Sequence, residues 1–288
     1  MGDLVLLMLL VLNSTALWPL NRWAMMRQAR TECLGIVLTA VLAAGVVPVS
    51  MMMGKPLMAP PAILFGSLAG IAYAVGFILI IFYCLKIGPS GPTVTINNMG
   101  LLWPVVLDLG LFRGGTAVPL LTWIGLAATL LALVLMGWGH GRNPGAAPVS
   151  RRWAMWAVIG WVFSGISMGS QFLSSRYAPQ APFAFPLFMS LVALAILSAV
   201  SLVKRNGRFR REEVIAGGLT GLMMIFGIPA TLILLTRMSA AIVFPVTVAG
   251  PAVLMLLVGH FIFKEHLSRT GWIASLLGVS GIVLLSLR

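Results

Sequence analysis

The stretch MSAAIVFPVTVAGPAVLMLLVGHFIFKEHLSRTGWIASLLGVSGIVLLSL, residues 238–287, decides the fold. It reads as an apolar helix interrupted by Pro245 and Pro251, a short charged turn at Lys264, Glu265 and His266, and a second apolar helix. Residues 89–136, PSGPTVTINNMGLLWPVVLDLGLFRGGTAVPLLTWIGLAATLLALVLM, have the same layout: a proline inside the first helix (Pro104), a turn with Arg113, and a tryptophan opening the second helix. Trp123 and Trp272 lie 149 residues apart, as do Ser90 and Ser239; Phe112 and Phe263 lie 151 apart, so the turns differ by two residues. Upstream, Gly66 and Gly70 precede the early pair as Gly217 and Gly221 precede the late one. A period near half the chain length is the signature of a duplicated membrane carrier.

Composition points the same way. Apolar residues make up 60% of the chain and charged residues 9%, with a mean hydropathy of +1.04. Apolar runs of about 20 residues match a hydrocarbon core of ~30 Å. In lipid the backbone must satisfy its own hydrogen bonds, so these runs are helices. The net charge of +13 does not indicate nucleic acid, because the cations are scattered through short connections between spans. Cys33 and Cys84 sit at helix ends without metal-ligand spacing and read as small apolar fillers. The first residues lack a basic n-region and run straight into a span, so no cleaved signal peptide is expected, and Leu6 breaks the N-myristoylation pattern.

The expected fold class is all-α, a polytopic membrane protein of ten transmembrane helices arranged as two inverted five-helix repeats. The spans fall near 3–21, 32–53, 61–84, 91–112, 118–138, 152–174, 181–203, 213–235, 239–262 and 270–287. The Gly- and Pro-bearing linker after Gly139 divides the chain into repeats at 1–145 and 146–288. Five spans per repeat is an odd number, so the second repeat enters the membrane upside down. Fourteen of the 19 lysines and arginines fall on one side, among them the run KRNGRFRR at 204–211, and five (Lys55, Arg113, Arg176, Arg237, Arg288) on the other. The fourteen are expected to face the cytoplasm of a bacterial-type inner membrane, with both termini outside.

These residues carry a resemblance. The run from Ser239 to Leu285 looks like the C-terminal half of an EamA-type repeat of the drug/metabolite transporter superfamily, through its small-residue start (Ser239, Ala240), its prolines, Phe263-Lys264-Glu265 and a Gly-rich final span (Gly278, Gly281). The first repeat departs from this pattern, with Gly114 where the acidic residue of the turn would fall. The N-terminal stretch LWPLNRWAMMRQARTECLGIVLTAVLAAGVVP resembles the L-rhamnose–proton symporter and glucose/ribose porter branch, and so does the third span with its G-x-S turn. The resemblance implies secondary transport by alternating access around a cavity between the repeats.

No Walker A motif, metal cluster or nucleophile elbow is present, so neither an enzyme nor a cofactor is expected. Polar residues at membrane depth are costly unless they meet a cavity or each other, and these are the substrate-site candidates. Asn97 and Asn98 lead them. Asn97, Leu101, Pro104 and Asp108 share one helix face, and Pro104 frees the carbonyl of Gly100. Trp103 lies beside them. Asn13 and Trp18 in span one, Tyr73 in span three, Trp161, Ser164 and Gln171 in span six and Phe244 in span nine complete the set. Each has a plainer alternative as interhelical packing or an interfacial anchor. Asp108 reads as a proton carrier or as a partner of Arg113; Pro104, Pro245 and Pro251 as gating bends or static kinks; His260 and Glu265 as a relay or a solvated helix end.

A midplane carboxylate for organic cations is missing, so neutral, zwitterionic or anionic metabolites fit better. The expected partners are such a substrate, a proton or other coupling ion, membrane lipids and, at most, a second copy in a homodimer; no nucleic acid is expected. Sugar uptake and metabolite or amino-acid export are the two transport options, and a lipid scramblase or scaffold subunit is the option from another class. Replacing Asn97 or Asn98 by Ala is expected to abolish transport with expression intact. Unchanged kinetics in both variants would remove this helix face from the mechanism.

Overall fold

The computed structural model describes residues 2–87, 93, 96–112, 119–141, 150–205, 207–261 and 269–286. The side chains of some helical residues, Trp18 and His260 among them, lie outside the description. Ten helical spans are formed among the described residues. They are α1 (Gly2–Met26), α2 (Thr31–Met52), α3 (Pro60–Ala72, continued by Tyr73–Ile81 and Phe82–Ile87), α4 (Met99–Leu101, Leu102–Leu107 and Asp108–Phe112), α5 (Leu120–Gly141), α6 (Arg151–Tyr177), α7 (Ala184–Val203), α8 (Arg211–Arg237), α9 (Ala240–Phe261) and α10 (Arg269–Ser286). No strand occurs among the described residues. Six spans are at least 20 residues long and apolar enough to cross a membrane. The described apolar parts of the other four are shorter: Ile96–Phe112, Leu120–Leu135, Ala240–Pro251 and Trp272–Leu284. Large apolar side chains lie exposed along the outer helices, such as Met8 and Leu12 on α1 and Leu276 and Val283 on α10. Lipid, rather than water, is the natural solvent for such a surface.

Three spans differ from the expected boundaries in instructive ways. Helix α1 runs to Met26, five residues past the expected end, because Pro19 removes only one donor and the following turn packs Trp23 and Ala24 against α2 and α8. In α3 the turns widen into a π-helix over Tyr73–Ile81, for which the sequence carries no signal. Helix α4 is irregular throughout, passing from 3₁₀ geometry at Met99–Leu101 through one α segment to π geometry at Asp108–Phe112. Pro104 accounts for part of this, since it cannot donate to the carbonyl of Gly100. By contrast, Pro245 and Pro251 lie inside a helix that runs on without a break.

Helix contacts are built on small residues. A Cβ placed on Gly66 or Gly70 of α3 would fall 2.6 Å from the carbonyl oxygen of Phe185 or Met189 on α7. A Cβ on Gly217 or Gly221 of α8 would fall 2.7 Å from the carbonyl oxygen of Leu34 or Leu38 on α2. The two contacts match residue for residue at a spacing of 151, the same that separates the touching Tyr73 and Met224. Between α5 and α10, Gly281 lies against Thr129 and the carbonyl of Gly125. Without a hydrophobic drive between helices in lipid, such close backbone approach supplies the packing energy. Both cysteines are free and buried.

Ion pairs gather at the two ends of the bundle. At one end, Glu213 on α8 accepts hydrogen bonds from Arg30 N, Nε and Nη2, and from Arg210 N, at 2.8–2.9 Å. The bond to the backbone of Arg210 is the return half of a capping box at the start of α8. Lys204 pairs with Glu32 at 3.1 Å, and Trp153 Nε1 donates to Thr93 at 2.9 Å. At the other end, Arg237 pairs with Asp3 at 2.8 Å and Arg176 with Asp108 at 3.0 Å.

Gly221→Ala is expected to destabilise the protein by about 1–3 kcal/mol, because the new methyl meets backbone. Gly218→Ala, where nothing lies within 4 Å, is expected to be neutral or slightly stabilising. Thermal unfolding in detergent compares the two; equal melting temperatures would refute the packing argument.

Candidate functional site

Between α3, α4, α6, α7 and α8 lies a central cavity of about 250 Å³. Its polar wall consists of Tyr73, Asn97, Asn98, Ser164, Ser167 and Gln171. Its apolar wall includes Phe77, Met168, Phe185, Met189, Met224 and Ile228. None of the described lining residues is charged. Five side chains singled out in the sequence therefore converge here from three helices: Tyr73, Asn97, Asn98, Ser164 and Gln171.

The break in α4 sets the geometry of the polar wall. The Ser164 hydroxyl donates to the carbonyl of Asn97 at 3.0 Å, which pins the 3₁₀ turn onto α6. Gly100 makes this possible, since a Cβ there would sit 2.5 Å from Ser164 Oγ. Asn97 is 6% exposed, and its side-chain oxygen is buried without a hydrogen-bond partner among the described residues. An unmet buried acceptor costs about 1–3 kcal/mol, which a ligand N–H or O–H recovers. The indole nitrogen of Trp161, one helical turn from Ser164, is the other buried side-chain atom without a partner among the described residues. Its ring lies 6.0 Å from that of Trp103, and Trp103 in turn lies against Gly165. The Tyr73 ring stacks on Phe77 at 5.4 Å, and its hydroxyl approaches the sulfur of Met224 at 3.9 Å.

The remaining candidates are placed elsewhere. Asn13 donates to the carbonyl of Met223 at 3.3 Å and ties α1 to α8. Phe244 is buried in the apolar cluster around Leu10, Leu101, Val105 and Phe172, and does not line the cavity. Pro104 and Pro251 are buried. Trp18 and His260 belong to α1 and α9, with side chains outside the description, and Glu265 lies outside the described residues altogether.

Asp108 is fully engaged, and Arg176 is its cationic partner here; Arg113 lies outside the described residues. Its carboxylate accepts from Arg176 at 3.0 Å, from the Ser239 hydroxyl at 2.6 Å and from the backbone N–H of Ala240 at 2.8 Å. It thereby caps the N-terminus of α9 from another helix, where a negative charge is favourable. The Arg176 guanidinium also lies over the ring of Phe172 at 5.3 Å.

Sequence reasoning missed Ser167, which stands between Ser164 and Gln171 at helical spacing and was legible from it alone. It also missed Phe77, Met189 and Met224, ordinary apolar residues whose role depends on which helices meet. The Arg30–Glu213 pair gave no local signal either; its partners lie 183 residues apart. The hydrogen bond to Glu213 holds the Arg30 guanidinium above its ordinary pKa.

A bundle of apolar helices around a central cavity with a polar wall defines a polytopic membrane protein. The second half of the chain, residues 153–287, matches the model of the EamA-like transporter family, a family of the drug/metabolite transporter superfamily. None of the curated proteins compared with it matches significantly. Among 29 solved chains that match, one of known crystal structure aligns over 97% of this chain and 96% of its own, with a TM-score of 0.75 and 17% identity. At that identity the likeness carries the fold alone, and it extends over both halves.

Asp108→Ala is expected to cost about 2–3 kcal/mol, because it strands a partly buried guanidinium and uncaps α9. Asp108→Asn, which keeps one acceptor, is expected to cost less. Melting temperatures of the two variants test the order.

Proposed function

We propose that the chain is a secondary transporter that moves a small, uncharged or zwitterionic polar metabolite by alternating access between two five-helix repeats, residues 1–145 and 146–288, inserted in opposite orientations. The buried, unmet acceptor of Asn97 on an uncharged cavity wall carries this reading. A substrate with an O–H or N–H donor satisfies it. A net charge at this depth, with no countercharge among the lining residues, would be penalised by several kcal/mol. The reciprocal glycine contacts of α3 with α7 and of α8 with α2 support the inverted repetition. Uptake of a sugar and export of a metabolite or amino acid would use the same cavity and differ only in direction and coupling. In this reading Asp108 acts as a gating contact, since its carboxylate joins α4, α6 and α9. The basic end faces the cytoplasm and both termini face outward.

The deciding experiment is a ligand-dependent thermal-shift screen of the purified protein with sugars, amino acids, quaternary amines and organic anions, because a ligand that binds the folded state raises its stability. Stabilisation by a neutral or zwitterionic compound is expected, and Asn97→Ala is expected to weaken that binding about tenfold, the worth of roughly one hydrogen bond. Stabilisation only by cations or anions would overturn the substrate class. For orientation, alkaline phosphatase fused after Arg288 is expected to be active; an inactive enzyme with a fluorescent green-protein fusion at the same site would reverse the topology.

A further inference from the structure

A second, much smaller void lies toward the end of the bundle that carries Arg30. It holds about 20 Å³, room for a single water, and its polar walls are Asn21, Thr31 and Thr220. Tyr73 and Phe77 line both this void and the central cavity, and so stand between them. The apolar walls correspond in pairs. Leu34 and Leu38 of the void stand 151 residues before Phe185 and Met189 of the cavity. Tyr73 and Phe77 stand 151 residues before Met224 and Ile228. Exchanging the two halves of the chain therefore carries four wall positions of the cavity, Phe185, Met189, Met224 and Ile228, onto wall positions of the void. Tyr73 and its counterpart Met224 touch each other, as residues beside the axis of such an exchange must.

The related walls enclose very different volumes, about 250 Å³ against about 20 Å³. The polar groups of the void are paired with one another and with the Arg30 end in this state, Thr31 donating to Glu32 Oε2 at 3.1 Å. Thr220, 3% exposed, donates to Asn21 Oδ1 at a long 3.4 Å. Beside Thr31, the Arg30–Glu213 ion pair closes the end, with Glu213 fully buried. The counterparts of Arg30 and Glu213 at the same spacing are Ala181 and Ala62. These belong to a cluster of buried alanines at the opposite end. The Arg30 end is thus shut by a charge-assisted pair whose counterpart positions at the opposite end make only methyl contacts, while that end has ion pairs of its own elsewhere, Arg176–Asp108 and Arg237–Asp3.

We propose that the void is the collapsed half of the transport path: when the molecule opens toward the Arg30 end, the same polar metabolite binds Asn21, Thr31 and Thr220, and the Arg30–Glu213 pair is the latch that holds this half shut. The proposal rests on the inverted-repeat carrier reading above and assigns its second binding half-site. The Arg30–Glu213 latch favours the resting state with the central cavity open. Weakening it shifts the population the other way.

The test uses two reporter cysteines, Ser167→Cys in the cavity and Thr220→Cys in the void, each in a Cys33→Ala, Cys84→Ala background. Labelling rates with a charged, water-soluble methanethiosulfonate are measured on the full chain in open membranes. With the latch intact, Ser167→Cys is expected to react at least tenfold faster than Thr220→Cys. Adding Glu213→Gln is expected to accelerate Thr220→Cys at least tenfold and to slow Ser167→Cys. Should Glu213→Gln fail to reach the membrane, Arg30→Lys keeps the charge but loses the fork, and a smaller shift of the same reciprocal kind is expected. Acceleration at both positions, or at neither, overturns the proposal while leaving the carrier reading intact. A Ser167→Cys that does not react at all sinks the carrier reading, and the proposal with it.

Discussion

The structure depends on backbone-to-backbone contact at glycine. In lipid, apolar side chains gain nothing by leaving solvent for one another, so helices associate through close packing. Gly66 and Gly70 let α3 lie directly on α7, and Gly217 and Gly221 let α8 lie directly on α2. These two contacts cross-link the halves of the chain, since each joins a helix of residues 1–145 to one of residues 146–288. With α3 and α8 held in this way, Tyr73 meets Met224 at the centre, and α4 and α6 close the cavity beside them.

Around that frame the polar groups divide into two kinds. At the helix ends, Asp108 is paired among Arg176, Ser239 and Ala240, and Glu213 among Arg30 and Arg210. Such pairs stabilise one arrangement of the helix ends. At the centre, Asn97 Oδ1 and Trp161 Nε1 are buried without partners among the described residues. A bundle that satisfies its ends and leaves acceptors and donors unmet at its centre is suited to a passing polar ligand. The irregular backbone of α3 and α4 belongs to the same design, because π and 3₁₀ turns adjoin the cavity wall where a regular helix would present a different face.

Much of the candidate site is legible in the sequence. Polar residues are rare in these spans, so Tyr73, Asn97, Asn98, Ser164 and Gln171 stand out by cost alone, and all five line the cavity. The same argument also selects Asn13, which proves to be tied to the Met223 carbonyl between α1 and α8, because an interhelical hydrogen bond and a binding group look identical in sequence. Phe244 is legible as an aromatic residue within span nine, but it packs in the apolar core. Asp108 stands out as the acidic residue within a span, while its partner is Arg176, 68 residues away on α6.

By itself the sequence determined the class and the helical spans, because both follow from hydropathy along the chain. Tertiary structure alone decided which polar groups are met and which are left open, where the helices lose α geometry, and which apolar residues complete the cavity. The physical reason is that satisfaction of a buried polar atom depends on what lies within about 3 Å of it. In this bundle those neighbours come from helices more than sixty residues distant, as with Ser164 on Asn97 and Glu213 on Arg30.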